Sequence, residues 1–181
     1  MTQVQRDMPL VELAALVCQT LKDHGIDAVL TGGSVVSIYA SNPYPSLDLD
    51  FVTAGISKKC AAALAPLGFV KDGKYLTHPE SDYFLDFPAP PLAIGDDPVR
   101  PEDLTLMECA TGRLTLLSPT HCVMDRLAAF YYWTDRQALE QAVLVARSHP
   151  IRWKEVERWS HRENKQAQFT AFRRQIEGAG G

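Results

Sequence analysis

Hydrophobic positions along the chain change period several times, and the changes divide it into elements. Leu10, Leu13, Ala14, Val17 and Leu21 recur at the i, i+3, i+4, i+7 spacing of one helical face, which predicts a helix over 9–24. Pro9 lies near its first turn and Gly25 follows as a C-terminal cap. Ile26, Ala28 and Leu30 then alternate as a short strand, which runs into Thr31-Gly32-Gly33-Ser34 and a short apolar helix, Val35 to Ala40. The loop 41–46 is marked by its Pro and Asn content. Residues 47–53 follow with strict period-two alternation: Leu47, Leu49 and Phe51 point one way, Asp48 and Asp50 the other.

Ser57 caps a further helix over 58–64, interrupted near Pro66 and Gly68. A strand starts at Phe69 and Val70, and Asp72-Gly73 is a hairpin-turn signal. Residues 82–87 form a third alternating segment, with Asp82, Phe84 and Asp86 on one face, closed by Pro88, Pro90 and Pro91. A less regular stretch leads to Pro101. Residues 104–110 and 113–117 flank Thr111-Gly112 as another hairpin. Ser118-Pro119 opens a helix that reaches Trp133, and a second helix runs from Asp135 to Ser148. After Pro150, one or two polar helices are expected. The pattern is therefore α+β: a mixed core over 1–118, a helical C-terminal region over 119–177 packed on it, and a glycine-rich tail, 178–181, expected to fray.

Composition adds limits rather than detail. The chain has 181 residues, 46% hydrophobic and 22% charged, the balance of an ordinary globular protein. No apolar run approaches the roughly 18 residues that a membrane span needs, and the N-terminus lacks a charged-then-apolar leader, so a cytoplasmic location is expected. Cys18, Cys60, Cys109 and Cys122 form no metal-type pair. The net charge of −4 speaks against general polyanion binding. The basic residues between Arg152 and Arg174 alternate with Glu155, Glu157 and Glu163, as on a solvated helix face; RNA binding by this tail is the lesser reading. Dinucleotide-binding, P-loop and nucleophile-elbow motifs are absent from the sequence.

Residues 30–52 carry the chemistry: strand, glycine pair, helix, then a strand with two aspartates on one face. Glycines permit close backbone approach and positive φ. A helix N-terminus offers free amides to a phosphate, and the Ser34 hydroxyl adds a donor. Carboxylates at i and i+2 of a strand stand about 7 Å apart along the backbone, and a divalent cation relieves their repulsion. Mg²⁺ suits a few carboxylates plus substrate phosphates. Asp86, late in its own strand, completes a three-carboxylate set if the two strands are neighbours.

Gly32-Gly33-Ser34 followed at this spacing by Asp48-Leu49-Asp50-Phe51 resembles the signature of the nucleotidyltransferase superfamily, and Phe84-Leu85-Asp86-Phe87 resembles its third-carboxylate strand. The resemblance implies a mixed β-sheet core with flanking helices. It implies Asp48, Asp50 and Asp86 as catalytic ligands of Mg²⁺ or Mn²⁺, and Gly32, Gly33 and Ser34 as holders of the phosphates of an NTP such as ATP. Residues 117–130 and, more weakly, Trp133-Thr134-Asp135-Arg136 are similar to the bacterial abortive-infection toxin-type nucleotidyltransferases. That likeness implies a toxin–antitoxin or phage-defence setting with a protein antitoxin, and an acceptor that is RNA (tRNA ends especially), protein or a small molecule. The toxin-type enzymes commonly carry a lysine in the helix after Ser-Pro; Arg126 stands nearest here and is expected to bind phosphate, since a guanidinium accepts no proton. The alternative is a module of the same fold that binds a nucleotide or a partner without turnover.

Overall fold

The computed structural model describes residues 3–55 and 57–178. The first helix, α1 (Leu10–Asp23), is followed by β1 (Ala28–Thr31), α2 (Gly33–Tyr39), β2 (Asp48–Thr53) and α3 (Ser57–Leu64). Next come β3 (Val70–Asp72), β4 (Tyr75–Thr77), β5 (Phe84–Asp86), β6 (Ala93–Ile94) and β7 (Asp97–Pro98). The hairpin β8 (Leu104–Cys109) and β9 (Gly112–Leu117) precedes α4 (Pro119–Trp133), α5 (Arg136–Ser148), α6 (Trp153–Arg162) and α7 (Gln166–Glu177). This is the α+β architecture that the residue pattern predicts.

Seven strands form one mixed sheet in the order β3-β4-β5-β2-β1-β9-β8. β1 pairs antiparallel with β2 and parallel with β9, while β2 pairs parallel with β5. The alternation of β2 is expressed directly: Leu49 and Phe51 are fully buried, and Asp48 and Asp50 on the opposite face are half-buried. Leu49 stands beside the buried Leu85 of β5, and Phe51 stacks on Phe87 at a centroid distance of 6.3 Å. Burying such side chains contributes roughly 2 kcal/mol each, which fixes the register of β2, because a one-residue slip would turn both aspartates into the core. Leu47 departs from the expected alternation: it precedes the strand and is exposed.

The helix α1 packs on β1, β8 and β9, and α3 packs on α1. The C-terminal helices form a pair, α4 with α5, which reaches the core through α2 and β9; α6 lies on α4, and α7 on α5 and α6. Ser118 caps α4 as predicted, accepting a hydrogen bond from the His121 backbone amide, and Asp135 caps α5 by accepting from the Ala138 amide. Part of the basic face of the C-terminal region is paired: Arg152 with Glu155, Arg162 with Asp97, Arg173 with Glu177. The tail expected over 178–181 lies, except for Gly178, outside the described residues. Among the described residues no helix is long and apolar enough to cross a membrane.

The stretch read as irregular between Pro88 and Pro101 contains a small hairpin, β6–β7. Gly95, at φ 59°, begins the two-residue turn between Ile94 and Asp97. Trp159 of α6, fully buried, donates its indole N–H to the Ile94 carbonyl at 3.2 Å and holds this hairpin against the helices. The same segment becomes one wall of the cleft described next.

Candidate active site

The parallel pairing of β2 and β5 sets Asp48 opposite Phe84, Leu49 opposite Leu85 and Asp50 opposite Asp86. Paired residues of neighbouring strands share a face, so the three aspartates singled out from sequence project from one side of the sheet. Asp82, on the same predicted face as Asp86, lies before β5 and is exposed.

Each carboxylate has a different partner. The Ser46 hydroxyl donates to Oδ1 of Asp48. Asp86 accepts from its neighbour's amide, Phe87 N to Oδ1 at 2.9 Å, and from Lys74 Nζ to Oδ2 at 2.6 Å. Lys74 is the second residue of the Gly73-Lys74 turn of the β3–β4 hairpin and sits over the Tyr75 ring. Burial, and then the neighbouring Asp48 and Asp86 carboxylates, push the Asp50 carboxyl up from its ordinary value near 3.8 to about 6, against an opposing pull from the Arg126 guanidinium. Asp50 thus carries the site's unrelieved repulsion.

The glycine turn lies against these groups. Gly32 has φ 75°, and a Cβ built on it would stand 2.5 Å from Asp50 Oδ2. Gly33 begins α2, and a Cβ there would meet the Ser46 side chain at 3.3 Å. Ser34 is fully buried, and its hydroxyl donates to the Thr31 carbonyl at 3.2 Å, so this hydroxyl closes the turn from inside. Thr31 in turn donates its hydroxyl to the Asp50 carbonyl at 3.2 Å, tying turn and strand together.

Arg126 comes from the second turn of α4 and pairs with its neighbour, placing Nη2 2.6 Å and Nε 3.0 Å from Asp125 Oδ2. Both lie on a cleft of about 330 Å³ with Gly32, Asp50 and Val52, whose far wall is the apolar segment Pro88 to Ile94. The cleft therefore has an anionic floor, one guanidinium and a hydrophobic side. Lys74, Ser46 and Asp125 escaped the sequence reading: their signals, a residue within a hairpin turn, a loop serine and a helix aspartate beside Arg126, acquire meaning only from tertiary proximity.

The three carboxylates share a face, but their oxygens do not all close to within 4.8 Å of one another; as an all-oxygen set they are of the type that suits Mg²⁺ or Mn²⁺ rather than a softer metal. Burial is the main cause of the raised Asp50 carboxyl and repulsion from Asp48 and Asp86 the second; a divalent cation would relieve that repulsion.

No protein-family model matches the chain, and no curated protein matches it. Similar solved structures include an antigenic nucleotidyltransferase-like protein from Paracoccidioides brasiliensis, with a TM-score of 0.52 and 16% identity over 74% of this chain and 75% of that one. They also include ANT(2″)-Ia in complex with adenylyl-2″-tobramycin, with a TM-score of 0.51 and 14% identity over 90% of this chain and 97% of that one. At these identities the likeness shows the fold: a nucleotidyltransferase-type sheet with flanking helices.

Proposed function

We propose that the chain transfers a nucleotidyl group from an NTP, ATP among the candidates, to an acceptor hydroxyl or phosphate: the acceptor oxygen bonds to the α-phosphorus, the bond to the β-phosphate breaks, and pyrophosphate leaves. The observation that carries this reading is the register of β5 on β2, with Asp86 directly opposite Asp50 and on the face of Asp48, beside the Gly32 turn. Asp48, Asp50 and Asp86 hold Mg²⁺ or Mn²⁺; such ions, when bound, neutralise phosphate charge and favour deprotonation of an attacking hydroxyl. The backbone of Gly32 and Gly33 receives the phosphates, with Ser34 supporting the turn from within. Arg126 faces the same cleft and supplies the cation for a phosphate oxygen. Asp86 orients the acceptor hydroxyl and takes up its proton at Oδ2 once Lys74 has moved away. The apolar wall from Pro88 to Ile94 gives the base a dry surface.

The acceptor that fits best is a small, neutral or cationic molecule, because Asp50 and Asp125 outweigh the single Arg126 on the cleft lining. The complex of ANT(2″)-Ia with adenylyl-2″-tobramycin supports that choice by analogy of fold. RNA (tRNA ends included) or a protein acceptor, within a toxin–antitoxin or phage-defence pair with a cognate antitoxin, rests on the likeness of residues 117–130 and 133–136 to the toxin-type enzymes.

One feature supports a second reading, a binding module without turnover: Lys74 already satisfies Asp86 at 2.6 Å, so the carboxylates are partly compensated by the chain itself. Each labelled NTP, with Mg²⁺ or Mn²⁺, is incubated with total RNA, with protein lysate and with a panel of hydroxylated polyamines, beside an Asp48→Ala/Asp50→Ala control. Label on one acceptor class that requires both aspartates supports transfer and names the class. Nucleotide-dependent thermal stabilisation without any label in any mixture favours the binding module.

A further inference from the structure

A second cluster of metal-type side chains lies away from the three aspartates. Asp103, in the helical turn before β8, His121, in the first turn of α4, and Glu155, in the first turn of α6, converge so that one donor atom from each falls within 4.8 Å of the others. The side chains of Asp103 and His121 are 4% and 5% exposed. His121 Nε2 lies 3.7 Å from Asp103 Oδ2 and 3.6 Å from Glu155 Oε1. Both separations exceed a hydrogen bond, and the His121 ring lines a cavity of about 240 Å³. Across a tetrahedral zinc the corresponding donor–donor edge is about 3.4 Å.

The surroundings orient these atoms. Arg152 takes the outward oxygens, donating Nε to Glu155 Oε2 at 2.6 Å and Nη2 to Asp103 Oδ1 at 3.3 Å, which leaves Oε1 and Oδ2 turned toward Nε2. His121 Nδ1 lies 3.1 Å from the Ser118 hydroxyl oxygen and 3.4 Å from Arg152 Nη2, so that side of the ring is engaged and Nε2 is the ring nitrogen that faces the two carboxylates. Asp103 Oδ2 also accepts from Arg100, from Nε at 3.1 Å and from the backbone amide at 3.2 Å; the exposed guanidinium also pairs with Glu102 at 3.3 Å and is free to leave, while the amide stays.

We propose that Asp103, His121 and Glu155 form a site for a divalent transition metal of the zinc class, distinct from the three-aspartate site. The imidazole selects such a metal over Mg²⁺. Three protein ligands leave a fourth position open to the cavity, for water or an anion facing Arg158. The metal joins the approach to β8, the start of α4 and the start of α6, and so clamps the C-terminal helices to the core. The next turn of α4 presents Asp125 and Arg126, and Ile94 borders both cavities, so the clamp steadies one side of the cleft.

Co²⁺ is the probe, because its visible spectrum reports low-coordinate nitrogen–oxygen ligation. The metal-stripped full chain carrying Asp48→Asn/Asp50→Asn, which lacks the first site's main ligands, is titrated with Co²⁺ in excess Mg²⁺. One equivalent is expected, displaced by Zn²⁺, with affinity at least tenfold weaker in both His121→Gln and Glu155→Gln. Glu155→Gln, at the partly exposed start of α6, carries the test if the buried His121 variant fails to fold by circular dichroism. Absence of Co²⁺ binding at millimolar metal, or binding unchanged in the folded variants, overturns the proposal. The result is independent of nucleotidyl transfer, since no turnover is read.

Discussion

A Cβ on Gly32 would stand 2.5 Å from Oδ2 of Asp50, and Gly32 adopts φ 75°. The glycine that lets the chain turn into α2 is thus also the residue that leaves room for a central carboxylate. Gly32→Ala meets both constraints at once. At φ 75° and ψ −159° the backbone lies in a region essentially restricted to glycine, which costs about 1–3 kcal/mol for any side chain, and the methyl group must displace the carboxylate. The expected outcome is a modest fall in melting temperature with a loss of transfer of a hundredfold or more, because a displacement of about an ångström at a positioned group has that scale. Thermal unfolding and initial rates on one preparation check it. A variant that keeps full activity would show that Asp50 does not need its present position.

Asp50 makes the site's cost measurable without any substrate. Its carboxyl titrates near 6 in the metal-free protein and near 3.8 ordinarily, a folded-state value raised above the unfolded one. Its stabilising share is therefore complete below about pH 4 and disappears as pH rises through 6, by an amount on the order of 3 kcal/mol. Asp50→Asn removes the ionisation. Its melting temperature is expected to exceed that of the parent above pH 6, with the difference closing toward pH 4, while transfer is lost. Saturating Mg²⁺ is expected to flatten the same pH dependence in the parent. Melting curves from pH 4 to 8, with and without Mg²⁺, decide the matter; a parent and variant that run parallel across that range would mean that Asp50 is not under electrostatic load.

These effects also mark where sequence reading works and where it stops. The alternation of Asp48-Leu49-Asp50-Phe51 is a local, period-two signal, and β2 obeys it because Leu49 and Phe51 are fully buried. The Ser118-Pro119 opening of α4 is local in the same way, and so is the β8–β9 hairpin, although its turn is Ala110-Thr111, one residue before the expected Thr111-Gly112, because Gly112 already pairs with Cys109. The pairing of Asp86 with Asp50 joins residues 36 apart, and nothing in the spacing fixes that register; hydrophobic matching of Leu49 to Leu85 does. The Ile94-Gly95-Asp96-Asp97 hairpin carries a recognisable two-residue turn, yet its strands are two residues long and one ends in Pro98, too short for alternation to show. Ser34 reads from sequence as a phosphate donor, whereas its hydroxyl points back to Thr31, because a serine just inside a helix start can satisfy the preceding carbonyl instead. The Asp103–His121–Glu155 convergence unites three distant segments and has no sequence spacing at all.

Lys74 gives a test of how the carboxylates are held before a metal arrives. It is 65% exposed, and its ammonium lies 2.6 Å from Asp86 Oδ2. An exposed pair of this sort contributes little to stability. Lys74→Ala should therefore leave the melting temperature nearly unchanged while freeing the oxygen for a cation. The expected result is a severalfold fall in the Mg²⁺ concentration needed for half-maximal nucleotide-dependent stabilisation. A rise instead would assign Lys74 to the bound phosphates rather than to a competing role at Asp86.

Arg126 separates packing from chemistry on the other side of the cleft. Its Nε and Nη2 both reach Asp125 Oδ2, and the two side chains are only 18% and 25% exposed. Replacing the guanidinium alone leaves Asp125 uncompensated near Asp50, so Arg126→Met is expected to cost about 2 kcal/mol and to raise the Asp50 titration further, because Arg126 is the cation that holds it down. Asp125→Asn/Arg126→Met removes the stranded charge and should recover part of that stability without recovering function. Arg126→Lys keeps the charge but loses the two-pronged contact. If Arg126 receives phosphate as proposed, the double variant stays folded yet binds NTP at least tenfold more weakly, and the lysine variant falls between it and the parent. NTP affinity measured by calorimetry beside melting temperature distinguishes the two roles: affinity that simply follows stability across the series would leave Arg126 as the structural partner of Asp125 and nothing more.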